Sequence, residues 1–234
     1  MQYIRCDLMR EFVVLRAGIV EHELVSKEMK RLQKMRIENS IRDTLILVEH
    51  PEIVTVGPRA KNDGVIIPKK YESAPIDRGG GVTWHGSGQL VAYPIFHWDL
   101  KGERNVSRII NKLEQWVIDS LSAIGIKASR DQRMQGAWHS NQKISSVGLQ
   151  FLKWVSRHGF TINYNTPKDR VEELSCCGLE KGVTTSLNRL GKEGLTRDIL
   201  EGIIISMAPK SINRIATEIH LLEGLPPWNY YDKV

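Results

Sequence analysis

Glycine-dense segments that also carry histidine, arginine, lysine or cysteine are the places in this sequence where chemistry could occur. The longest runs from Arg78 to Pro94 and holds five glycines within its first eleven residues. Glycine has no Cβ, so the backbone there can approach a ligand closely, and Arg78 and His85 add charge and hydrogen bonding. The same glycines also fit a tight turn between strands. The segment matches neither the dinucleotide fingerprint nor the phosphate-binding loop, because the required spacing and the Gly-Lys-Ser/Thr ending are missing.

Three further segments each hold a group that could react. Lys143 lies between a predicted turn and an apolar strand, where a lysine is often only the solvated end of the strand. His158 leads into a strand, and a structural histidine is the simpler interpretation. Cys177 precedes Gly178 in a predicted loop. It could be a small buried hydrophobe, or a nucleophile if a nearby cation or backbone N–H groups lower its pKa.

The hydrophobic pattern predicts the elements that position these groups. Apolar runs predict three strands, and a β-rich stretch with a turn near Asn141-Gln142 follows; these are 44–49, 53–56, 89–96 and 136–165. Residues 59–75 look irregular. Apolar residues from Val106 to Ile124 recur with helical spacing, and Gly125 is a natural stop.

Two more helical stretches are predicted at the two ends of the chain. Residues 12–37 are rich in good helix formers, with Ala17, Val20 and Leu24 on one helical face. Residues 196–222 are predicted to be mostly helical, with a break or boundary at Pro209. Helices interspersed with short strands indicate an α/β or α+β domain. The lack of regular strand–helix alternation argues against a doubly wound parallel sheet.

Composition sets outer limits on the function. The 234 residues suit one large domain or two small ones at ~100–200 residues each. Three cysteines, Cys6, Cys176 and Cys177, are too few for a disulfide framework. No apolar run reaches the ~18 residues of a membrane span, and no signal peptide is recognised, so a reduced cytoplasmic protein is expected. The net charge of +6 suits a nucleic acid, an anionic membrane or an acidic protein as partner.

Taken in order, these segments resemble the lipoyl(octanoyl) transferase family. Residues 78–94 are similar to its glycine motif, with Trp84 in place of Tyr and Ser87 in place of Pro. The family usually has Pro just before its cysteine, where this chain has Cys176. The resemblance covers 49–187, and the last 47 residues match no motif. The other matching segments are Glu49-His50-Pro51, Thr55-Val56-Gly57, Gly136-Ala137-Trp138, Lys143-Ile144, Gly148, His158-Gly159, Asn163, Cys177-Gly178 and Thr185-Ser186-Leu187.

This resemblance implies a fold, a reaction and a set of site residues. The fold would be a mixed sheet flanked by helices, like the catalytic domain of biotin and lipoate protein ligases, in one domain over 1–234. An octanoyl group would pass from acyl carrier protein through a thioester on Cys177 to a lysine of a lipoate-dependent enzyme, with Lys143 as the acid–base partner. No cofactor or metal is implied. The implied substrate-binding residues are Arg78, Gly79, Gly80, Gly81, Val82, Thr83, Trp84, His85, Ser146, Val147, Gly148, Gly159, Phe160 and Thr161.

The implied partners are octanoyl-acyl carrier protein and either lipoyl domains of 2-oxoacid dehydrogenase complexes or the glycine cleavage H protein. These carriers are typically acidic, which suits the positive charge of this chain. Neither a nucleic acid, for which no signature is found, nor a membrane is expected as partner, and a monomer is expected. Two alternatives stay open: an ATP-dependent lipoate or biotin protein ligase, which would need no cysteine, and a non-catalytic acyl-carrier-binding protein.

Overall fold

A computed structural model describes residues 9–61, 67–172 and 182–230, and they form two β-sheets and three long helices. The large sheet has seven strands in the order β10-β1-β2-β6-β9-β8-β7, and the small sheet has the order β4-β3-β5. The strands are β1 (Arg10–Ile19), β2 (Asp43–Glu49), β3 (Ile53–Val56), β4 (Ser73–Pro75), β5 (Val82–His85), β6 (Gln89–Ile95), β7 (Gly136–His139), β8 (Gln142–Leu152), β9 (Val155–Asn163) and β10 (Arg214–Leu221). The helices are α1 (His22–Ile37), α2 (Val106–Ala123) and α3 (Arg197–Ile212).

The predicted mixed sheet with flanking helices is confirmed. Strands β10, β1 and β2 run parallel to one another, whereas β2, β6, β9, β8 and β7 pair antiparallel. Helices α2 and α3 pack together over one face of the sheet, and α1 packs on the other face against β6 and β9. Each face therefore buries its own apolar layer.

Helix α2 forms where the sequence predicts it. Its side chains Ile109, Leu113, Trp116 and Leu121 are fully buried on one stripe, as the 3.6-residue period requires. The side chain of Asn105 caps the first turn by accepting a hydrogen bond from the backbone N–H of Arg108 at 3.0 Å.

The helices predicted at the two ends of the chain are wrong in part. Residues 10–19 form β1, so Ala17 belongs to a strand and does not share a helical face with Leu24. In β1, Phe12 packs in the core under α2 and α3, whereas Val13 packs in the core under α1. Successive residues of β1 are therefore buried on opposite faces of the sheet, as in a strand. Pairing with β2 and β10 on either side outweighs the local helix propensity.

The C-terminal stretch also divides between two kinds of element. Helix α3 continues through Pro209 to Ile212, so the predicted break at the proline is wrong. Asn213 takes a left-handed conformation (φ 54°), which ends the helix, and residues 214–221 form the parallel edge strand β10. Sequence composition did not separate them, because the exposed positions of β10 include the apolar residues Ile215, Ile219 and Leu221, so its apolar residues do not mark a buried face.

A buried cluster of charged side chains lies at the start of β10, at the edge of the large sheet. The guanidinium of Arg214 is fully buried and donates to Asp43 at 3.1 Å and to Glu103 at 3.0 Å. It also stacks over the ring of Trp98 at 4.2 Å. Because burial removes both charges of an ion pair from water, removal of one partner leaves the other charge buried without compensation.

We therefore expect Arg214→Met to destabilise the protein by about 3–5 kcal/mol, because Asp43 and Glu103 keep buried charge with less compensation. Urea unfolding followed by circular dichroism measures this loss. The matched control is Arg42→Met, since Arg42 pairs with Glu218 at the exposed surface and should cost at most about 1 kcal/mol. Equal losses in the two variants would contradict this account of the cluster.

Candidate active site

A small pocket of about 30 Å³ lies where β8 and β9 meet β6 and the small sheet. Apolar side chains and backbone make up much of its wall. The charged group comes from the segment before β5, and the polar groups come from β5, β6, β8 and β9. The lining residues are Ile76, Arg78, Thr83, His85, Val91, Tyr93, Ser146, Val147, Gly148, His158, Gly159, Phe160 and Thr161.

Most of the substrate-binding residues predicted from the sequence meet at this pocket. Those that line it are Arg78, Thr83, His85, Ser146, Val147, Gly148, Gly159, Phe160 and Thr161. Strand β5 divides its residues between two faces: Thr83 and His85 line the pocket, whereas Val82 and Trp84 pack inside the small-sheet core. The indole N–H of Trp84 donates to Glu52 at 3.0 Å. Gly79, Gly80 and Gly81 form the turn before β5 and do not line the pocket.

Two glycines of the pocket wall are required by close backbone approach. A Cβ on Gly159 would lie 2.1 Å from the carbonyl oxygen of Ala92, and one on Gly148 would lie 2.9 Å from that of Gly79. Any side chain there would push β9 from β6, or β8 from the glycine turn. Gly148 and Gly159 also face each other across the β8–β9 pair, so the pocket wall is bare backbone at this point.

Arg78 is the charged group of the pocket wall, and the protein orients it through hydroxyl and carbonyl groups. Its Nη2 donates to Thr83 Oγ1 at 2.8 Å and to Thr55 Oγ1 at 3.0 Å, and its Nη1 donates to the Gly79 carbonyl at 3.1 Å. The side chain is almost completely buried. The guanidinium therefore brings positive charge to one side of the pocket in a geometry that the small sheet determines.

Three histidine rings cluster at this wall: those of His22 and His85 are stacked, and that of His50 meets both edge-on. The ring centroids of His22 and His50 are 5.2 Å apart, those of His50 and His85 are 5.7 Å apart, and those of His22 and His85 are 6.0 Å apart. Burial lowers the pKa of His50 to about 3, and burial together with Arg78 lowers the pKa of His22 to about 4. The pKa of His85 also lies well below its ordinary value because of burial and because protonation would place its charge beside His50, His22 and Arg78. The three rings are neutral at pH 7.

His50 has a defined tautomer. Its Nδ1 lies 2.6 Å from the carbonyl oxygen of Val20, which can only accept, so Nδ1 carries the hydrogen. Its Nε2 then accepts from the hydroxyl of Tyr93 at 2.9 Å. Burial raises the pKa of Tyr93 above its ordinary value, which keeps that hydroxyl a donor. In the described parts of the chain, no group of three or more His, Cys, Asp or Glu residues is placed to hold a metal ion.

A fourth histidine, His158, approaches the pocket from β9 with a left-handed backbone (φ 60°). Its Nε2 lies 2.9 Å from Asp77 Oδ1, and Arg157 donates to the other carboxylate oxygen at 2.6 Å. Burial opposes ionisation of Asp77, but the hydrogen bonds from Arg157 and His158 lower its pKa to about 2. The pKa of His158 falls to about 4, mainly through burial.

Lys143 is buried on β8 beside the pocket strands. Its side chain is 3% exposed, and its Nζ lies 2.8 Å from the sulfur of Met134 and 6.0 Å from the ring centroid of Trp138. The solvated strand end that its sequence position suggested is therefore wrong. Buried lysines can act as general bases in proteins.

The backbone of Lys143 pairs with the segment that follows the predicted cysteine loop. Its N–H donates to the carbonyl of Val183 at 2.7 Å, and its carbonyl accepts from the N–H of Thr185 at 2.9 Å. The N–H of Gly182 donates to the Glu172 carbonyl at 3.0 Å, so the described residues on both sides of 173–181 meet near Lys143. Cys6, Cys176 and the predicted nucleophile Cys177 lie outside the described residues.

Sequence reasoning did not select several residues of this site. Val91 and Tyr93 line the pocket from β6, and the strand period of two after His85 could have identified them. Ile76 and Asp77 lie between the stretch 59–75, which looks irregular in sequence, and the glycine motif. His22 belongs to the helix α1 and shows no local signal, because only the packing of α1 against the sheet brings it beside His85.

The neutral histidines predict how stability depends on pH. Below pH ~6.5 each histidine binds a proton in the unfolded chain but not in the folded one, down to its folded pKa, which is about 4 for His22. The unfolding free energy should therefore fall as pH decreases from ~6.5 to ~4, by up to about 1.4 kcal/mol per pH unit for each buried histidine.

Urea unfolding at pH ~8 and pH ~5 measures this change. In His22→Gln the loss of stability between the two pH values should be smaller than in the wild type. The measurement at high pH is the control, since both proteins have neutral histidines there and differ only in packing. An unchanged pH dependence in His22→Gln would contradict the neutral folded state of His22.

Comparison with known proteins supports the fold and the family. Residues 27–206 match the lipoyl protein ligase A/B catalytic domain. An octanoyltransferase from Caldicellulosiruptor saccharolyticus is 36% identical over 180 residues, which is 74% of this chain and 76% of that protein. An octanoyltransferase from Solibacter usitatus is 32% identical over 216 residues, which is 86% of this chain and 97% of that protein.

Solved structures share the fold at much lower sequence identity. A bipartite lipoate protein ligase from Thermoplasma acidophilum superposes with a TM-score of 0.61 at 14% identity, covering 91% of this chain and 87% of that one. A biotin protein ligase from Aquifex aeolicus superposes with a TM-score of 0.51 at 12% identity, covering 88% and 70%. The fold implied by the sequence resemblance is confirmed.

The structure adds that none of the described helices is both long and apolar enough to cross a membrane. The pocket, the buried lysine and the two groups of relatives agree with the resemblance seen in the glycine motif. The chain therefore belongs to the lipoyl protein ligase A/B catalytic domain family, and it is an acyltransferase of lipoate biosynthesis.

Proposed function

We propose that this enzyme moves an octanoyl group from acyl carrier protein to a lysine of a lipoyl domain, through a thioester on Cys177. The donor would be a thioester, so its exchange onto a cysteine makes a bond of similar energy. Attack by the acceptor lysine then forms an amide, which is downhill. The two steps need no ATP, in contrast to a ligase that activates a free acid.

The position of Lys143 is the observation that supports this mechanism best. The lysine is 3% exposed, and its backbone pairs with residues 183 and 185, which follow Cys177 by six and eight positions. A free thiol with a pKa of ~8.5 is only a few per cent ionised at pH 7. An ammonium group within hydrogen-bond range would lower that pKa and favour the thiolate. Lys143 would pass its proton to the leaving thiol of the carrier protein and, as the neutral amine, would then accept a proton from the attacking lysine amine.

The lining of the pocket suits the acyl chain of this substrate. Val91, Val147 and Phe160 supply apolar wall, and Gly148 and Gly159 leave it bare of side chains. An octanoyl tail has seven carbons beyond its carbonyl, and burial of them contributes about 5–6 kcal/mol at ~0.8 kcal/mol per CH₂. One methylene changes discrimination by only about 1–3 kcal/mol, so the depth of the pocket sets the chain length.

The charge of the chain fits acidic carrier proteins as partners. The excess of six positive charges would steer both octanoyl-acyl carrier protein and lipoyl domains toward the enzyme. The Thermoplasma ligase that shares this fold was solved in work that includes its E2 lipoyl domain. We propose the lipoyl domains of 2-oxoacid dehydrogenases or the glycine cleavage H protein as acceptors, with a monomer acting in the cytoplasm.

The acyl-enzyme is the decisive test. Wild-type protein incubated with octanoyl-acyl carrier protein, without ATP or Mg²⁺, should gain the mass of one octanoyl group in intact mass spectrometry. Cys177→Ala should not gain this mass, because it lacks the thiolate that is the proposed nucleophile. Cys176→Ala is the matched control and should acylate like the wild type. Acylation of Cys177→Ala would contradict the assignment, and a requirement for ATP would favour the ligase alternative.

A second test concerns the proton chemistry of Lys143. Lys143→Met removes the charge but keeps an unbranched side chain in the buried site, so we expect acyl transfer to slow by about 10²–10⁴-fold. Single-turnover transfer from octanoyl-acyl carrier protein measures the rate. Lys153→Met, in the exposed turn that joins β8 to β9, is the matched control. A Lys143→Met rate equal to that of the control would rule out the proposed acid–base role.

A further inference from the structure

Two buried amide side chains connect the glycine motif to the segment beside Lys143, and the mechanism above does not use them. Gln89 and Asn163 are register partners on the antiparallel strands β6 and β9. They are 2% and 4% exposed, so their donors and acceptors must be satisfied within the protein. Gln89 Nε2 donates to Asn163 Oδ1 at 2.9 Å.

Backbone carbonyl groups determine the direction of these hydrogen bonds. Asn163 Nδ2 donates to the carbonyl of Thr185 at 3.0 Å, and Gln89 Nε2 donates to the carbonyl of Trp84 at 3.0 Å. A carbonyl oxygen can only accept, so each NH₂ group must face its carbonyl. Both amide orientations follow from fixed groups of the backbone.

The tautomer of His85 follows from the orientation of Gln89. The remaining Gln89 oxygen, Oε1, lies 2.8 Å from His85 Nδ1, and this oxygen can only accept. His85 Nδ1 must therefore carry a hydrogen. The other ring nitrogen, Nε2, lies 3.2 Å from the hydroxyl of Thr55, which accepts a hydrogen bond from Arg78 at 3.0 Å.

We propose that Gln89 and Asn163 are positioning residues, which hold His85 as its Nδ1–H tautomer and couple its ring to the backbone beside Lys143. The coupling passes through Thr185, whose carbonyl accepts from Asn163 and whose N–H donates to the carbonyl of Lys143 at 2.9 Å. The effect on catalysis rests on the proposed function, whereas the tautomer does not.

This arrangement assigns His85 a role other than proton acceptor. Its Nε2 faces Thr55 behind the pocket wall, and its Nδ1 hydrogen is held by Gln89. Burial and the nearby His50, His22 and Arg78 lower the pKa of His85, which agrees with a neutral ring. His85 therefore shapes the wall, and proton transfer is left to Lys143.

Nuclear magnetic resonance of the full chain labelled with ¹⁵N-histidine tests the tautomer directly. His85→Gln identifies the His85 signals by their loss. In the wild type at pH ~7 the long-range ¹H–¹⁵N pattern should show a protonated Nδ1 and an unprotonated Nε2. An Nε2–H tautomer, or an imidazolium ring, at that pH would overturn the proposal without any measurement of activity.

Gln89→Glu tests whether the amide controls His85. A carboxylate would accept from Nδ1–H and favour the imidazolium, so the pKa of His85 should rise. Gln132→Glu makes the same charge change in an exposed loop and should leave the His85 signals unchanged. A titration of His85 in Gln89→Glu that matches the wild type would overturn the proposal. If circular dichroism shows that Gln89→Glu does not fold, the tautomer measured in the wild type still tests the proposal.

Asn163→Asp tests the coupling to Lys143. The carboxylate has no donor for the carbonyl of Thr185, so the backbone partner of Lys143 should shift. We expect kcat for octanoyl transfer to fall on the order of 10²-fold with a nearly constant KM, as misplacement of a catalytic group predicts. Unchanged kcat in a folded Asn163→Asp protein overturns the coupling. A wild-type enzyme without octanoyl transfer would overturn the proposed function and leave the tautomer result standing.

Discussion

The pocket depends on one constraint: its polar groups lie away from water, so a group without a partner in the protein is costly. His158 Nδ1 and His22 Nε2 have no such partner among the described residues, whereas Arg78, His50 and His85 do. Arg78 meets hydroxyl and carbonyl oxygens, His50 lies between a backbone carbonyl and Tyr93, and His85 lies between Gln89 and Thr55. An unsatisfied buried polar group costs on the order of 1–3 kcal/mol. The donor and the acceptor of each hydrogen bond in this network are therefore determined, and the tautomers of His50 and His85 follow from them.

The same exclusion of water explains why titratable groups around the pocket depart from their ordinary pKa values. His22, His50 and His158 have a pKa of about 4, 3 and 4, because burial penalises the charged ring. Neutral histidine rings suit an acyl chain, because a charged ring would lose its hydration when the chain binds against it. Positive charge at the wall comes from Arg78, and Lys143 lies beside the segment that follows the predicted cysteine.

The fold does not by itself separate transfer from ligation. Lipoate and biotin protein ligases share it at 12–14% identity, whereas the octanoyltransferases are 32–36% identical over most of the chain. Function lies in the site that the fold carries. In this chain the proposed distinction is Cys177, a nucleophile that a ligase would not need.

Much of the site was predictable from sequence, since its residues lie in short segments with local signals. The glycine motif identified Arg78 and His85, and strand patterns located β2, β3 and β6. Trp84 matched the same motif, yet it faces the small-sheet core. Which face of β5 a residue takes depends on how two sheets pack, and a match of residue types carries no such information.

The sequence by itself determined the family, the apolar stripe of α2 and the order of segments that build the pocket. Local residue patterns suffice for these. The tertiary structure alone decided that residues 10–19 and 214–221 are strands, because β1 is buried on both faces only between its parallel neighbours. It also decided that His22 joins His50 and His85, and that Asn163 reaches Thr185. Such contacts join residues far apart in the chain, where hydrogen bonding and burial depend on packing.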